Sequence, residues 1–284
     1  MKKIVLMPNP TRDKDFKVSR RIAEKLGELG FCVYTESAVA EAIGFDVIGY
    51  TVFPEGIDFL IVVGGDGSVI DASRYAVLHD VPLLGVNLGK VGYLTEVDPD
   101  NLDLLSRLKT GEYKIEEKML LQTTLDCGNG TAVADRLAVN DVVISHNVFL
   151  GISEFEVENE EGDSIKYRAD GIIASTPVGS TAYSLSAGGP VVSHNVDTIL
   201  LTPVSPHSFF NRSILFNSNQ ALKIKNVTDG ELSISIDGRF YKSLSSGGIC
   251  EIKRADKSLK TVHFASGDMF STLFKKMRLL EDIK

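Results

Sequence analysis

An aspartate, Asp66, sits among glycines in Gly64-Gly65-Asp66-Gly67-Ser68, directly after the apolar run 58–63. Glycines at such a point let a ligand approach the backbone closely. A carboxylate facing that ligand could accept a proton from an attacking hydroxyl or help hold a magnesium ion. The same five residues would also serve as a tight turn without chemistry. No Gly-x-x-x-x-Gly-Lys-Ser/Thr loop occurs, and no Gly-x-Gly-x-x-Gly fingerprint follows the first apolar run. A second glycine-bearing loop is Gly85-Val86-Asn87-Leu88-Gly89-Lys90-Val91-Gly92-Tyr93-Leu94-Thr95, in which Lys90 could reach a phosphate as a mobile point charge or could simply be solvated. The longest signal runs from Tyr167 to Pro190. Its apolar run 171–175 delivers a loop rich in hydroxyls and glycine, Thr176-Pro177-Val178-Gly179-Ser180-Thr181-Ala182-Tyr183-Ser184-Leu185-Ser186. A short helix opening near Ser180 would turn N–H groups and hydroxyls toward ribose or phosphate, although such clusters also form turns and N-caps. From spacing alone, Asn140-Asp141 and Asp237-Gly238 read as hairpin turns.

The elements that must position these loops follow from periodicity. The run 4–7, then Val18, Ile22, Leu26 and Leu29 at helical spacing closed by Gly30, then the runs 31–34, 58–63 and 82–86, describe β-α-β units around a buried parallel sheet. A helix carrying Leu102, Leu105 and Leu108 ends near Gly111. We expect an α/β domain, 1–115, with an open, mostly parallel, Rossmann-like sheet carrying the Asp66 loop. Beyond it the pattern changes to alternation with turns, at 119–126, 131–144, 155–158, 171–175, 222–225, 231–236, 249–254 and 260–265. That predicts an all-β, sandwich-like domain over 116–265. Met269, Leu273 and Phe274 share one helical face, so 266–284 is expected to hold a terminal helix that docks back.

Composition narrows the partners. Thirty Lys and Arg against 38 Asp and Glu leave a net charge of −8, which disfavours nucleic acid, so a phosphate must be held by local charge, backbone N–H groups or a metal ion. No apolar stretch is long enough to span a bilayer. Cys32, Cys127 and Cys250 are scattered, and no His or Cys spacing suits zinc, which fits a reducing cytoplasm.

Taken together and in order, these segments resemble the NAD kinase family over nearly the whole chain. Gly64 to Ser68 is similar to its Gly-Gly-Asp-Gly motif, a feature shared with lipid-kinase and phosphofructokinase relatives. Asn87 to Thr95 is similar to the segment that follows. Arg168-Ala169-Asp170-Gly171 through Gly188-Gly189-Pro190 is similar to the second-domain signature. The resemblance implies a magnesium-dependent enzyme that moves a phosphoryl group from ATP, or polyphosphate, to the 2′-hydroxyl of the adenosine ribose of NAD, giving NADP. It implies a dinucleotide in a cleft between the two domains and a homo-oligomer, dimer or tetramer. It makes Asp66 the proton acceptor or metal-orienting group and puts Gly67 at the pyrophosphate. Asn140, Asp141, Asp170, Thr181, Ala182, Tyr183, Ser184 and Ser186 would line the NAD pocket, with Arg168 nearby. Three residues depart from the family pattern: Asp141 where Asn-Glu is usual, Val178 where threonine is usual, and Arg239 where Gln or His is common. Arg239 could bind a phosphate. A lipid kinase with the same loop, and a protein that binds NAD(P) without turnover, are the competing readings.

Overall fold

The computed structural model describes residues 1–44, 46–90, 92–126, 132–146, 152–207, 210–264 and 273, with side chains of 132–135 left aside. Cys127 and, apart from residue 273, the helix expected at 268–277 lie outside the described residues. The chain divides into two compact units. One is Met1–Glu117 joined by the segment from Leu259 onward, and the other is Lys118–Ser258.

The first unit is built on a seven-stranded sheet. Its strands are β1 (Lys3–Pro8), β2 (Cys32–Glu36), β3 (Ile48–Tyr50), β4 (Phe59–Gly64), β5 (Leu83–Asn87), β6 (Lys114–Lys118) and the last strand among the described residues, β19 (Leu259–His263). They lie in the order β3-β2-β1-β4-β5-β19-β6. Pairing is parallel from β3 through β19. The order runs outward on one side from β1 to β3 and then restarts on the other side with β4, so a topological switch point falls between β1 and β4. In open α/β sheets, ligands bind beyond the carboxyl ends of the strands at that point.

Helix α1 (Lys17–Glu28) buries Ser19, Ile22, Ala23 and Leu26, the expected stripe. It closes on Gly30 at φ 83°, with Gly30 N–H donating to Gly27 O and Phe31 N–H to Leu26 O. Its start is held from a distance, since the buried Asp13 carboxylate accepts from the Val18 and Ser19 N–H groups and from the Ser19 hydroxyl. Helix α2 (Ser37–Ile43) follows β2, α3 (Asp66–His79) follows β4, and α4 (Ser106–Thr110) precedes β6. β19 differs from expectation. The strand read at 260–265 is present, but it joins this sheet between β5 and β6 instead of the β-rich unit. Leu259, Thr261 and Val262 are all buried there. A short apolar run has no feature that says which gap in which sheet it fills.

The second unit holds two six-stranded antiparallel sheets. Its strands are β7 (Leu121–Asp126), β8 (Ala132–Ala138), β9 (Asp141–His146), β10 (Ser153–Glu158), β11 (Ser164–Ala169), β12 (Gly171–Ser175), β13 (Thr198–Val204), β14 (Ile214–Asn217), β15 (Leu222–Asn226), β16 (Leu232–Ile236), β17 (Arg239–Leu244) and β18 (Ile249–Arg254). One sheet runs β11-β10-β15-β18-β7-β8 and the other β14-β13-β12-β9-β16-β17. Leu125, Phe155, Tyr167, Ile224 and Ile252 from the first share one core with Ile144, Ile172, Ile199, Leu201 and Ile234 from the second. That is the sandwich the alternating pattern calls for. A short helix, α5 (Tyr183–Ser186), follows β12 after a tight turn at Gly179–Thr181.

Candidate functional site

In the first unit the site is built around the tip of α3. β4 ends in Gly64, which has no room for a side chain because a Cβ there would overlap Ser68 and sit 3.3 Å from Asn9 Cβ. Asn9, at the end of β1, donates from Nδ2 to Ser68 Oγ at 2.8 Å, while its Oδ1 accepts from the Thr11 N–H and hydroxyl and from the Arg12 N–H. The two strand ends are thereby stitched together. Asp66 opens α3, and its carboxylate accepts from two consecutive N–H groups, Tyr93 at 2.9 Å and Leu94 at 3.0 Å. The second glycine loop is folded onto it: Leu88 N–H donates to Gly64 O, Gly89 N–H to Asn87 Oδ1, and Gly92 packs so closely that a Cβ would press on the Asp66 carboxylate. Gly67 faces open space. Lys90 stands exposed on this loop.

Arg12 is the residue sequence reasoning missed. A Cβ built on Gly65 would lie 3.8 Å from its Cζ, and one on Gly89 would lie 3.8 Å from its Nη1, so the guanidinium spans both glycine loops. Between Arg12 and α1, the non-glycine residues Asp15 and Phe16 both adopt positive φ, 56° and 51°, held by the Asp13 cap. Strained backbone persists where surroundings over-determine it. The signal for Arg12 was a lone cation after the first strand, too common to single out. The loop is braced from behind by Glu96, which accepts from Phe264 N–H at 2.8 Å and lies 2.9 Å from His263 Nδ1.

In the second unit the structure gathers Asn140, Asp141 and the loop after β12. Asp237, at φ 49°, and Gly238, at φ 76°, form the turn of the β16–β17 hairpin. The Asp237 carboxylate accepts from the N–H groups of Val139 (2.9 Å), Asn140 (2.7 Å) and Asp141 (3.1 Å). An Asp-Gly pair that reads as a bland turn is therefore the clamp on the Asn140-Asp141 backbone. Thr176 locks the other side, donating from Oγ1 to Val139 O and from N–H to Asn140 O, and Gly179 leaves the space that the Asn140 carbonyl fills. Asp141 is only 4% exposed. Burial pushes its carboxyl up to about 7, the Asp237 carboxylate adds to the rise, and a hydrogen bond from the Tyr183 backbone opposes it. Asp141 thus meets the start of α5, and its shorter side chain is accommodated inside the protein.

Val178 is 3% exposed, so the methyl that replaces a hydroxyl lies in the interior. Thr181 Oγ1 donates to Val178 O, and the Ser184 hydroxyl is bonded to Thr202 Oγ1 at 2.9 Å within the protein. Ala182 is partly exposed, and Tyr183 and Ser186 are exposed. Asp170 joins β11 to β12, and its carbonyl accepts from His146 Nδ1 at 2.9 Å. Arg168 is engaged elsewhere, in an ion pair with Glu154 across the β10–β11 ladder at 3.2 Å. Arg239 opens β17 and is exposed.

A glycine-loop α/β unit interrupted by a double-sheet β unit, each with its own cluster of polar groups, is the organisation of a two-domain nucleotide kinase. The ATP-NAD kinase N-terminal domain model matches residues 4–113, and the ATP-NAD kinase C-terminal domain model matches 139–264. The chain belongs to the NAD kinase family. Its relatives include the NAD kinase of Symbiobacterium thermophilum, 36% identical over 98% of this chain and 99% of that protein, and the NAD kinase of Caldanaerobacter subterraneus subsp. tengcongensis, 33% identical over the same shares. Among solved structures, yeast NADH kinase complexed with NADH aligns with a TM-score of 0.85 at 22% identity, covering 96% of this chain and 86% of that one. An Archaeoglobus fulgidus NAD kinase in complex with ATP aligns at 0.71 and 24% identity, covering 98% and 99%. These two likenesses concern the fold.

Proposed function

We propose that this NAD kinase transfers the terminal phosphoryl group of ATP to the 2′-hydroxyl of the adenosine ribose of NAD, with Asp66 orienting or deprotonating that hydroxyl. The observation that carries the assignment is the clamp on Asp66. Two adjacent N–H groups fix the carboxylate at the tip of α3, beside the glycine loop that β4 delivers. Phosphoryl transfer needs positioning and charge stabilisation and no nucleophilic side chain. Arg12 and Lys90 supply cations for the donor phosphates, Gly67 lets them approach the backbone, and Asn140, Asp141, Asp170 and the 181–186 loop hold the acceptor. Arg239 and Arg168 are further cations of the second unit.

Among the described residues no three His, Cys, Asp or Glu side chains gather into a metal cage. Magnesium fits a single carboxylate, because it is commonly held by one or two carboxylates together with substrate phosphates. Asp66 would be that carboxylate, and magnesium when bound would offset charge on the phosphate oxygens. No described helix is long and apolar enough to cross a membrane. We place the protein in the cytoplasm as a homo-oligomer, a dimer or tetramer, which light scattering of the purified protein tests.

The deciding experiment measures NADP formation from NAD, ATP and magnesium by the wild type and by Asp66→Asn. Loss of a positioned acid–base group costs roughly 10²- to 10⁴-fold, and a drop in kcat of that size with an unchanged melting temperature is expected. Full turnover by the variant would remove Asp66 from the role. Binding of NAD by wild type with no NADP from any donor would replace the kinase reading with a binding protein.

A further inference from the structure

Two residues beyond the Leu94 N–H that Asp66 receives, the same loop carries a second carboxylate, Glu96, whose side chain is only 17% exposed. The backbone here lies flat on β5, since Glu96 N–H donates to Gly85 O at 2.9 Å and a Cβ on Gly85 would fall 2.9 Å from Thr95 Cα. The Glu96 side chain reaches the end of the next strand, β19. Its Oε1 accepts from Phe264 N–H at 2.8 Å and its Oε2 from His263 Nδ1 at 2.9 Å, an ionised carboxylate being able only to accept. Both donors are themselves fixed. Phe264 is buried, and its carbonyl accepts from Arg107 Nη1 at 2.9 Å, which ties it to α4. The His263 ring is gripped at its far end, with Nε2 3.0 Å from Thr261 Oγ1 and 3.6 Å from the Glu116 carboxylate, and the Thr261 hydroxyl donates to Glu116 O on β6.

Such a strut is more than packing requires. A buried carboxylate destabilises a fold unless it is paired, and apolar residues of similar volume fill such places at least as well. What two hydrogen bonds to a charged group add is direction. They set the place of Glu96 and, two and three residues back along the loop, that of the Leu94 and Tyr93 N–H groups that hold the Asp66 carboxylate. Where orientation decides the rate, a misplacement of about 1 Å costs on the order of 10²-fold.

We propose that Glu96 and His263 are positioning residues for phosphoryl transfer: from β19 they hold the Asp66 clamp in register, and they act on turnover and not on substrate affinity. The inference rests on the role given to Asp66 above. Glu96→Ala removes both bonds to β19. His263→Leu removes the ring donor, whereas His263→Asn sets an amide N–H at the place of Nδ1, and two independent losses keep the test open should one variant unfold. kcat and both KM values are measured, and amide hydrogen exchange of Tyr93 and Leu94 is followed without substrate, with the Leu60 N–H, bonded to Pro82 O, as the reference for the sheet. Glu96→Ala and His263→Leu are expected to lower kcat by about tenfold to a hundredfold with KM for ATP and NAD within about twofold. Exchange at Tyr93 and Leu94 should rise by about tenfold more than at Leu60, and His263→Asn should restore most of kcat. Exchange at Tyr93 and Leu94 that stays at the wild-type level, or rises only in step with Leu60, would overturn the proposal, as would a loss of kcat that His263→Asn leaves unrepaired. Because exchange is read without substrate, a wild type that formed no NADP would end the kinase reading while the strut is still judged on these two amides.

Discussion

Asp141 carries a titration that stability measurements can read. Its carboxyl belongs near 3.8 in the unfolded chain and is pushed up to about 7 in the folded protein, chiefly by burial. The native state therefore binds this proton more tightly than the unfolded state. The stabilisation is complete below about pH 4, is lost as the pH rises toward 7, and above 7 the fold must hold a buried charge. Urea unfolding should show stability falling between about pH 4 and pH 7, and Asp141→Asn should flatten that slope, gaining on the order of a few kcal/mol over wild type at pH 8. Asparagine keeps an oxygen for the Tyr183 N–H. Identical slopes in the two proteins would contradict the assignment. Asp237 acts differently, through the three N–H groups it accepts. Asp237→Asn preserves a residue tolerant of positive φ but removes one acceptor oxygen, so KM for NAD should rise several-fold more than kcat falls. An effect on kcat alone would mean Asp237 does more than hold Asn140 and Asp141. Neither role is legible in sequence. An Asp-Gly pair has the same spelling whether its carboxylate faces water or clamps a neighbouring strand, and Arg12 is one cation among thirty.

At the scale of elements, the glycine loops offer a matched pair of substitutions. A Cβ on Gly67 meets no atom within 4 Å, whereas one on Gly179 would fall on the Asn140 backbone. Gly179→Ala should destabilise the second unit by about 1–3 kcal/mol, as overpacking does, visible as a lower melting temperature. Gly67→Ala should leave the melting temperature unchanged and raise KM for ATP, because the open side of the loop is then occupied by ligand. A fold that suffers equally from both would show that the loop is open only for want of a neighbour. Most elements can be read in advance: strands buried on both faces leave unbroken apolar runs such as 59–63, and sandwich strands leave alternation such as that of β16. Partner choice is not written in such runs, which is why β19 could be found as a strand and not placed.

At the scale of the molecule, β19 makes the first unit discontinuous in sequence. A chain ending at Ser258 should leave β5 and β6 unpaired on either side of a gap, and exposed strand edges template association. Size-exclusion chromatography of that truncation should show aggregates, and a soluble monomer with native melting behaviour would refute the dependence. The same insertion sets an order of events on the ribosome. The unit that emerges first cannot close its sheet until the whole of the second unit has been translated, and at about 5–20 residues per second that delay is on the order of ten seconds. Nascent chains therefore carry an unfinished first unit throughout synthesis of the second, and slow synthesis or a premature stop exposes it to chaperones and proteases.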